Sequence, residues 1–180
     1  MHPKAAALRG LAIAAGLAVA AALPTGAAAQ PRNCIDTLAG MQDYSRMVNA
    51  VTRSHMVNEL RNAQNITIFA PTNQAINQVN PMIVDRLFPR ADTGAREADP
   101  VLAAAAIQAH VVQNRMPAAT LVQTRQANTM AGTPLTFAAA GTGEAGATVS
   151  AAEGVTARII QADIPCANGV IHGIDRVLIR

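Results

Sequence analysis

Three histidines lie beyond the first thirty residues, His55, His110 and His172, and their side chains titrate nearest neutral pH, which makes them the first candidates for proton transfer or metal ligation. His55 precedes Glu59 by four positions, which on one helix would put two metal ligands on one face. No second histidine stands at ligand spacing, so the pair reads as a solvated helix couple. His110 and His172 sit inside apolar strings, which calls for buried, hydrogen-bonded imidazoles in a structural role. Ser45, Ser54 and Ser150 lack the Gly-x-Ser-x-Gly setting of a nucleophile. Gly141, Gly143 and Gly146 lack the following helix and the lysine of a phosphate loop. The acids Asp36, Asp43, Glu59, Asp85, Asp92, Glu97 and Asp99 are scattered over expected surfaces, and no carboxylate pair assembles by spacing. No catalytic residue, cofactor site or metal site emerges, and the chain reads as a non-enzyme.

The first 29 residues have the layout of a secretory leader. Lys4 and Arg9 form a basic start, Gly10 to Leu23 carries no charge, and Pro24 precedes the small residues Ala27-Ala28-Ala29. The apolar stretch is short of the ~20 residues that span a membrane. Cleavage after Ala29 is expected, with residues 30–180 forming one domain in the periplasm or outside the cell. Of the 14 basic residues, Lys4 and Arg9 leave with the leader, which lowers the formal net charge from +3 to +1 against 11 acids. No basic block remains to capture nucleic acid or anionic lipid. Lys4 is also the only lysine, so a Schiff-base mechanism is excluded from the mature chain. No apolar tail closes the sequence, and the mature protein is expected to be soluble, with no integral membrane segment.

Cys34 and Cys166 lie near opposite ends of the mature chain. Export makes a disulfide the first reading, with two buried free thiols as the alternative. The bond would close a span of 132 residues, and chain entropy assigns such a loop ~4–5 kcal/mol. Neither cysteine is in C-x-x-C, which speaks against redox catalysis. Pro31-Arg32-Asn33 is the wrong lead-in for a lipid-modified cysteine.

The elements that would position these residues read as helices first and strands after. Asn33 caps a short helix through Leu38. Tyr44, Met47, Val48 and Val51 recur at i, i+3, i+4 and i+7, one apolar helical face. Met56, Val57 and Leu60 add a further turn or two. Ile66, Ile68 and Phe69 form a short buried strand within Asn65 to Ala70, ended by Pro71, with Thr72 or Asn73 capping the next helix. Pro81 to Leu87 is helical up to Pro89, and Arg90 to Ala98 suits an exposed loop. Asp99-Pro100 opens a helix through Ala109, and Pro117 to Val122 makes a helical turn. Strands are expected over Gln123–Met130, Thr133–Ala138, Thr148–Val149, Ala157–Asp163 and Ile174–Ile179, with Gly141 to Gly146 a loop tip. Asn168-Gly169 reads as a tight turn at positive φ. Apolar residues make up 51% and aromatics 2% of the chain, so a core of Val, Ile, Leu and Met is available but a ring-stacking platform is not. The architecture is α+β, one domain without repeats.

Three segments resemble a known family. They are Thr67-Ile68-Phe69-Ala70-Pro71-Thr72-Asn73, then Ala109-His110-Val111-Val112, then Asn168-Gly169-Val170-Ile171-His172-Gly173-Ile174-Asp175-Arg176-Val177-Leu178. Their order and spacing are similar to a single fasciclin-like domain over roughly Asn33 to Arg180. The resemblance implies a β-sandwich or wedge with several packed helices in the N-terminal half, used outside the cell for adhesion and matrix contacts. Ala109 stands where a tyrosine commonly precedes the histidine, and there is no Arg-Gly-Asp. The residues themselves suit a scaffold, because short polar side chains beside turns usually bond to backbone. Thr72, Asn73 and Asp175 are expected to stitch the strand-to-helix corner to the last hairpin.

Two functional classes follow. The first is a non-catalytic interaction module meeting another protein or a surface polysaccharide. The second is a binder of an apolar small molecule, with Met41, Met47, Met56, Met82, Met116 and Met130 available to line a cleft. A hydrolase has no motif behind it. Asn65-Ile66-Thr67 matches a glycosylation acceptor but leads straight into a buried strand, and the alanine-rich, arginine-only composition suits a GC-rich bacterium.

Overall fold

The structure is a computed structural model that describes residues 32–87, 99–141, 146–152 and 154–179. The expected leader, Pro89 with the Arg90–Ala98 loop, and the centre of the Gly141–Gly146 tip lie outside the described residues. No helix among the described residues is long and apolar enough to cross a membrane.

The chain begins as expected from its local signals. Helix α1 (Cys34–Ala39) starts where the Asn33 side chain accepts from the Asp36 N–H. A 3-10 turn (Gln42–Tyr44) leads into α2 (Ser45–Arg53), which buries Met47, Ala50 and Val51 on one face. Tyr44 is buried from this turn and is not part of α2. Helix α3 (Val57–Asn62) inserts Leu60. The strand β1 (Ile66–Pro71) has all six residues buried, and the Thr72 hydroxyl caps α4 (Asn73–Asn77) by accepting from Ala75 N–H. Helices α5 (Pro81–Leu87) and α6 (Pro100–Gln108) follow, the latter capped by Asp99 with proline at its first position. Strand β2 (Val111–Val112) then precedes α7 (Ala118–Thr124), β3 (Gln126–Asn128), β4 (Pro134–Ala139), β5 (Ala147–Ala151), β6 (Thr156–Cys166) and β7 (Gly169–Ile174).

The seven strands form one sheet in the order β2-β1-β7-β6-β5-β4-β3. β1 is antiparallel to β2 and parallel to β7, and both of its faces are covered, which is why its residues are apolar apart from the hydrogen-bonded Thr67. β6 is 11 residues long and joins two subsheets: its first half pairs with β5 and its second with β7. Register shifts between Ile159 and Ile164, with Asp163 at φ 57°, bend the strand between these halves. The sheet therefore folds over itself as a wedge, and the expected α+β wedge with helices in the N-terminal half is what forms.

Alternation along β1 divides the interior. Ile66, Ile68 and Ala70 point into a core with Leu38, Met47, Leu60 and Ile171 beneath the N-terminal helices. Phe69 points into a second core inside the wedge, with Leu121, Leu135, Phe137, Val149 and Ile174. Its ring stacks against Phe137 and against His172, each at 5.7 Å between centroids.

Several sequence expectations are corrected. The last strand is Gly169–Ile174, not Ile174–Ile179, because its partner β1 ends at Pro71, which pairs with Ile174. The Gln123–Met130 strand shortens to Gln126–Asn128, since α7 continues to Thr124 and stops only at Arg125, whose φ is 64°. The turn is Ala167–Asn168, and neither Asn168 nor Gly169 has positive φ. Gly169 is required for a different reason: a Cβ there would overlap the Ile66 carbonyl on the neighbouring strand.

Candidate functional site

The three motifs singled out in the sequence are three adjacent strands. Thr67 and Ile68 face Val112 and Val111 across β1–β2, while Thr67, Phe69 and Ala70 face Val170, His172 and Gly173 across β1–β7. Thr67, Phe69, Ala70, His110, Val111, Ile171 and His172 are fully buried, Val170 and Asn168 nearly so. Pro71 and Gly169 are buried as well; Thr72, Asn73, Ala109 and Asp175 are half-exposed and Arg176 is exposed. The motif is the centre of the sheet and offers little surface to a partner.

Its polar groups are satisfied internally. His110 Nε2 receives the Leu178 N–H at 2.9 Å, so that nitrogen carries no proton, and Nδ1–H donates to the Ala106 carbonyl at 2.7 Å. Burial pulls this imidazole down from 6.5 to about 4, against the raising effect of the Ala106 bond. His172 uses the opposite tautomer: Nδ1 receives the Asp163 N–H at 3.2 Å and Nε2–H donates to the Met116 carbonyl at 2.9 Å. Burial lowers its pKa too, opposed by the Met116 bond and the Asp163 carboxylate. Both rings are thus neutral clamps, each joining two segments far apart in sequence.

Asn168 is the polar centre of the other end. Its Oδ1 accepts from Cys34 N–H at 2.9 Å, and its Nδ2 donates to the Leu60 and Ala63 carbonyls, both at 2.8 Å. The Cys34–Cys166 disulfide lies beside it, with Cα atoms 4.9 Å apart, and ties α1 to the end of β6. Sequence reading took Asn168 for a turn residue; a buried carboxamide with three long-range partners leaves no local signature. The reading also missed Tyr44, whose hydroxyl passes over Gly173 to donate to Gln161 Oε1 at 3.0 Å. A Cβ at Gly173 would overlap that hydroxyl.

The remaining candidates separate. Thr72 joins corner to last strand only through its main chain, whose N–H donates to the Ile174 carbonyl at 3.2 Å, while its hydroxyl accepts from Ala75 N–H within α4. Asn73 instead bonds backward, accepting from Arg46 N–H and donating to Gln42 O and Ser45 Oγ. Asp175 accepts from the backbone and side chain of Arg158 on β6, both at 2.7 Å. His55 is at φ 59° between α2 and α3, so it does not share a helix face with Glu59. Among the described residues no group of three His, Cys, Asp or Glu side chains is placed to hold a metal. Ser54 Oγ donates to Val51 O, and Ser150 Oγ bonds Thr156 Oγ1. The methionines do not share one cleft: Met47 and Met56 are in the first core, Met116 in the second, and Met82 is exposed.

What faces outward is a set of shallow clefts. One, of about 410 Å³, is apolar and lined by Leu102, Ala105, Ala109, Ala151 and Leu178 among others. Another, of about 450 Å³, has polar side chains at its rims over an apolar base of Val112, Met116 and Ala127, and is bounded by the exit of β2, α7 and β3. Its signal in the sequence is the absence of any Asp or Glu between Asp99 and Glu144.

Comparison with known proteins places this geometry. The Fasciclin domain family model matches residues 42–180. The chain is similar to sll1735, an uncharacterized protein of Synechocystis, at 25% identity over 150 residues, covering 82% of this chain and 97% of that one. It is similar to a second Synechocystis protein, sll1483, at 29% identity over 149 residues, covering 81% and 72% respectively. Among solved structures, the FAS1 domain pair from the insect cell adhesion molecule Fasciclin I superposes with a TM-score of 0.60 at 23% identity. That match covers 76% of this chain and 45% of the other, which holds a pair of domains, and it speaks to the fold alone.

Proposed function

This chain belongs to the fasciclin domain family, and from that premise we propose that it is an exported, non-catalytic interaction module that adheres to another protein or to a surface polymer. One observation carries the reading. The residues with chemistry to offer, His110, His172, Asn168, Thr67 and the cysteine pair, are buried and spend their hydrogen bonds and covalent bond on holding the sheet to the helices. What remains for function is a stiff outer surface. The leader-like residues 1–29 and the Cys34–Cys166 bond support a periplasmic or extracellular location, with residues 30–180 as the working domain.

The test is adhesion of the oxidised protein to envelope material or matrix polymers from its host, read by co-sedimentation. Binding that survives when His110 or His172 is replaced in a still-folded variant supports the module. Turnover of an ester or glycoside that disappears in those same folded variants would replace it with an enzyme. The mass of the protein recovered from the periplasmic or secreted fraction should begin at Gln30; a mass that includes residues 1–29 counts against export by cleavage.

A further inference from the structure

We propose that the polar cleft between the exit of β2, α7 and β3 binds an extended, hydroxyl-rich polyanion, namely a uronic-acid polysaccharide; this rests on reading the chain as an interaction module. The folded sheet comes close to closing on itself. The edge strand β2 meets the residue just after the other edge strand, β3, at the Val112–Thr129 bridge, where Met130 N–H donates to the Val111 carbonyl at 2.7 Å. Past that bridge the edges part, and the reason lies in the buried motif. Thr67 Oγ1 donates to the Asn114 carbonyl at 2.5 Å and accepts from Met116 N–H at 2.9 Å, while His172 holds the Met116 carbonyl. These bonds draw residues 113–116 toward β1 and away from β3. On the far side Asp163 Oδ1 accepts from Ala118 N–H at 2.9 Å and holds the start of α7. The cleft of about 450 Å³ so formed falls within the ~300–1,000 Å³ typical of ligand sites.

Its chemistry is one-sided. Gln113, Asn114, Arg115, Gln126 and Asn128 form the rims, all exposed, and Thr120 and Thr124 add hydroxyls from α7. Arg125 is exposed beside the cleft, between the lining residues Thr124 and Gln126, and is not itself in the lining. From Pro100 to Gly143 the sequence holds these two arginines and no acid. Among the described residues neither Arg115 nor Arg125 is in an ion pair; the pairs there are Arg61–Asp36 and Arg158–Asp175. A guanidinium matches a planar carboxylate through two parallel N–H bonds. Carboxamides and threonine hydroxyls both donate and accept, which matches neighbouring sugar hydroxyls. No ring lines the cleft, so a neutral glycan gains no stacking and charge must supply the capture. An acidic peptide would meet the arginines but bring few hydroxyls to the four carboxamides.

The experiment measures binding of the full oxidised chain to oligogalacturonate, dextran and polyglutamate by calorimetry. We expect binding to the uronate alone, weakened on moving from about 20 to about 200 mM salt as the Debye length shortens. Arg115→Gln and Arg125→Gln should each weaken it about two- to fivefold and together about tenfold. Arg176→Gln, an exposed arginine lining a different cleft, should leave it unchanged. An equal loss in Arg176→Gln, tighter binding to polyglutamate, or no binding to uronate overturns the proposal. If uronate binding is absent while adhesion to host envelope persists, the cleft assignment falls alone; if both are absent, the module reading falls with it.

Discussion

At the Ile66 end of the parallel β1–β7 pair, helices α1 and α3 are tied to the sheet by a disulfide and by the carboxamide of Asn168. At the Phe69 end, the α7 lead-in and the C-terminal segment are held by two neutral imidazoles. The two ends solve one problem, fixing segments 56 to 134 positions apart, with bonds that respond to different conditions. A carboxamide and a disulfide do not titrate in the ordinary range; an imidazole that must accept a backbone N–H stops accepting once protonated. The first end is therefore sensitive to reductant and the second to acid, so damage to one should leave the other's response intact.

The largest expected effect breaks the first end. Reducing the bond, or Cys34→Ser with Cys166→Ser, should remove about 4–5 kcal/mol, since the loop spans 132 residues. Urea unfolding with and without reductant measures it, and thiol labelling of the unfolded, unreduced protein should find no free cysteine. A midpoint unmoved by reductant would show that Asn168 alone holds this end.

Acid addresses the second end. In the unfolded chain His110 titrates near 6.5, and in the folded protein near 4. Between those values the unfolded chain binds more protons, so stability is complete above pH 6.5, falls as pH drops through the window, and levels off below about 4. The His110 contribution is about 3 kcal/mol, and His172 acts with the same sign. Denaturant midpoints over pH 7 to 4 should decline, and His110→Gln should flatten the decline without altering the response to reductant. A slope identical to wild type would remove His110 from the acid response.

Asn168→Ala comes next. It leaves the Cys34 N–H and the Leu60 and Ala63 carbonyls without their partner, at a cost of about 2–3 kcal/mol. That loss should be independent of pH over the same range, which separates the two ends in one set of midpoints. The smallest effect belongs to the surface. Arg158→Ala gives up an ion pair whose arginine is 73% exposed, worth about 0.2–1 kcal/mol and reduced by salt. A loss above about 2 kcal/mol would mean that Asp175 anchors the end of β7 through the Arg158 side chain and not chiefly through its backbone.

The fold was legible wherever its cause lies within a few residues. Asn33, Thr72 and Asp99 cap the helices they were expected to cap, because an N-cap bond reaches only two or three positions. The run Ile66–Phe69 announced a strand covered on both faces. Less was legible where the cause is distant. The Asn168-Gly169 pair looked like a positive-φ turn, yet the asparagine is buried under α1 and α3 and the glycine makes room for Ile66. The strand assigned to Ile174–Ile179 has enough apolar residues to be one, but β1 gives it no partner beyond Pro71. The cleft left only an acid-free stretch as its trace in the sequence, because its two rims lie just after β2 and on β3, which share no local pattern.

By itself the sequence determined the helices that have a local cap, the strand at Ile66 to Ala70, and an aliphatic interior, since propensity, capping and composition act over a few residues. Only the tertiary structure decided that His110 meets Leu178, that Asn168 meets Cys34, that Tyr44 crosses Gly173, and that β6 bends so the sheet nearly closes. Those contacts join residues 68 to 134 apart, a distance over which each partner's identity says nothing about the other until packing brings them together.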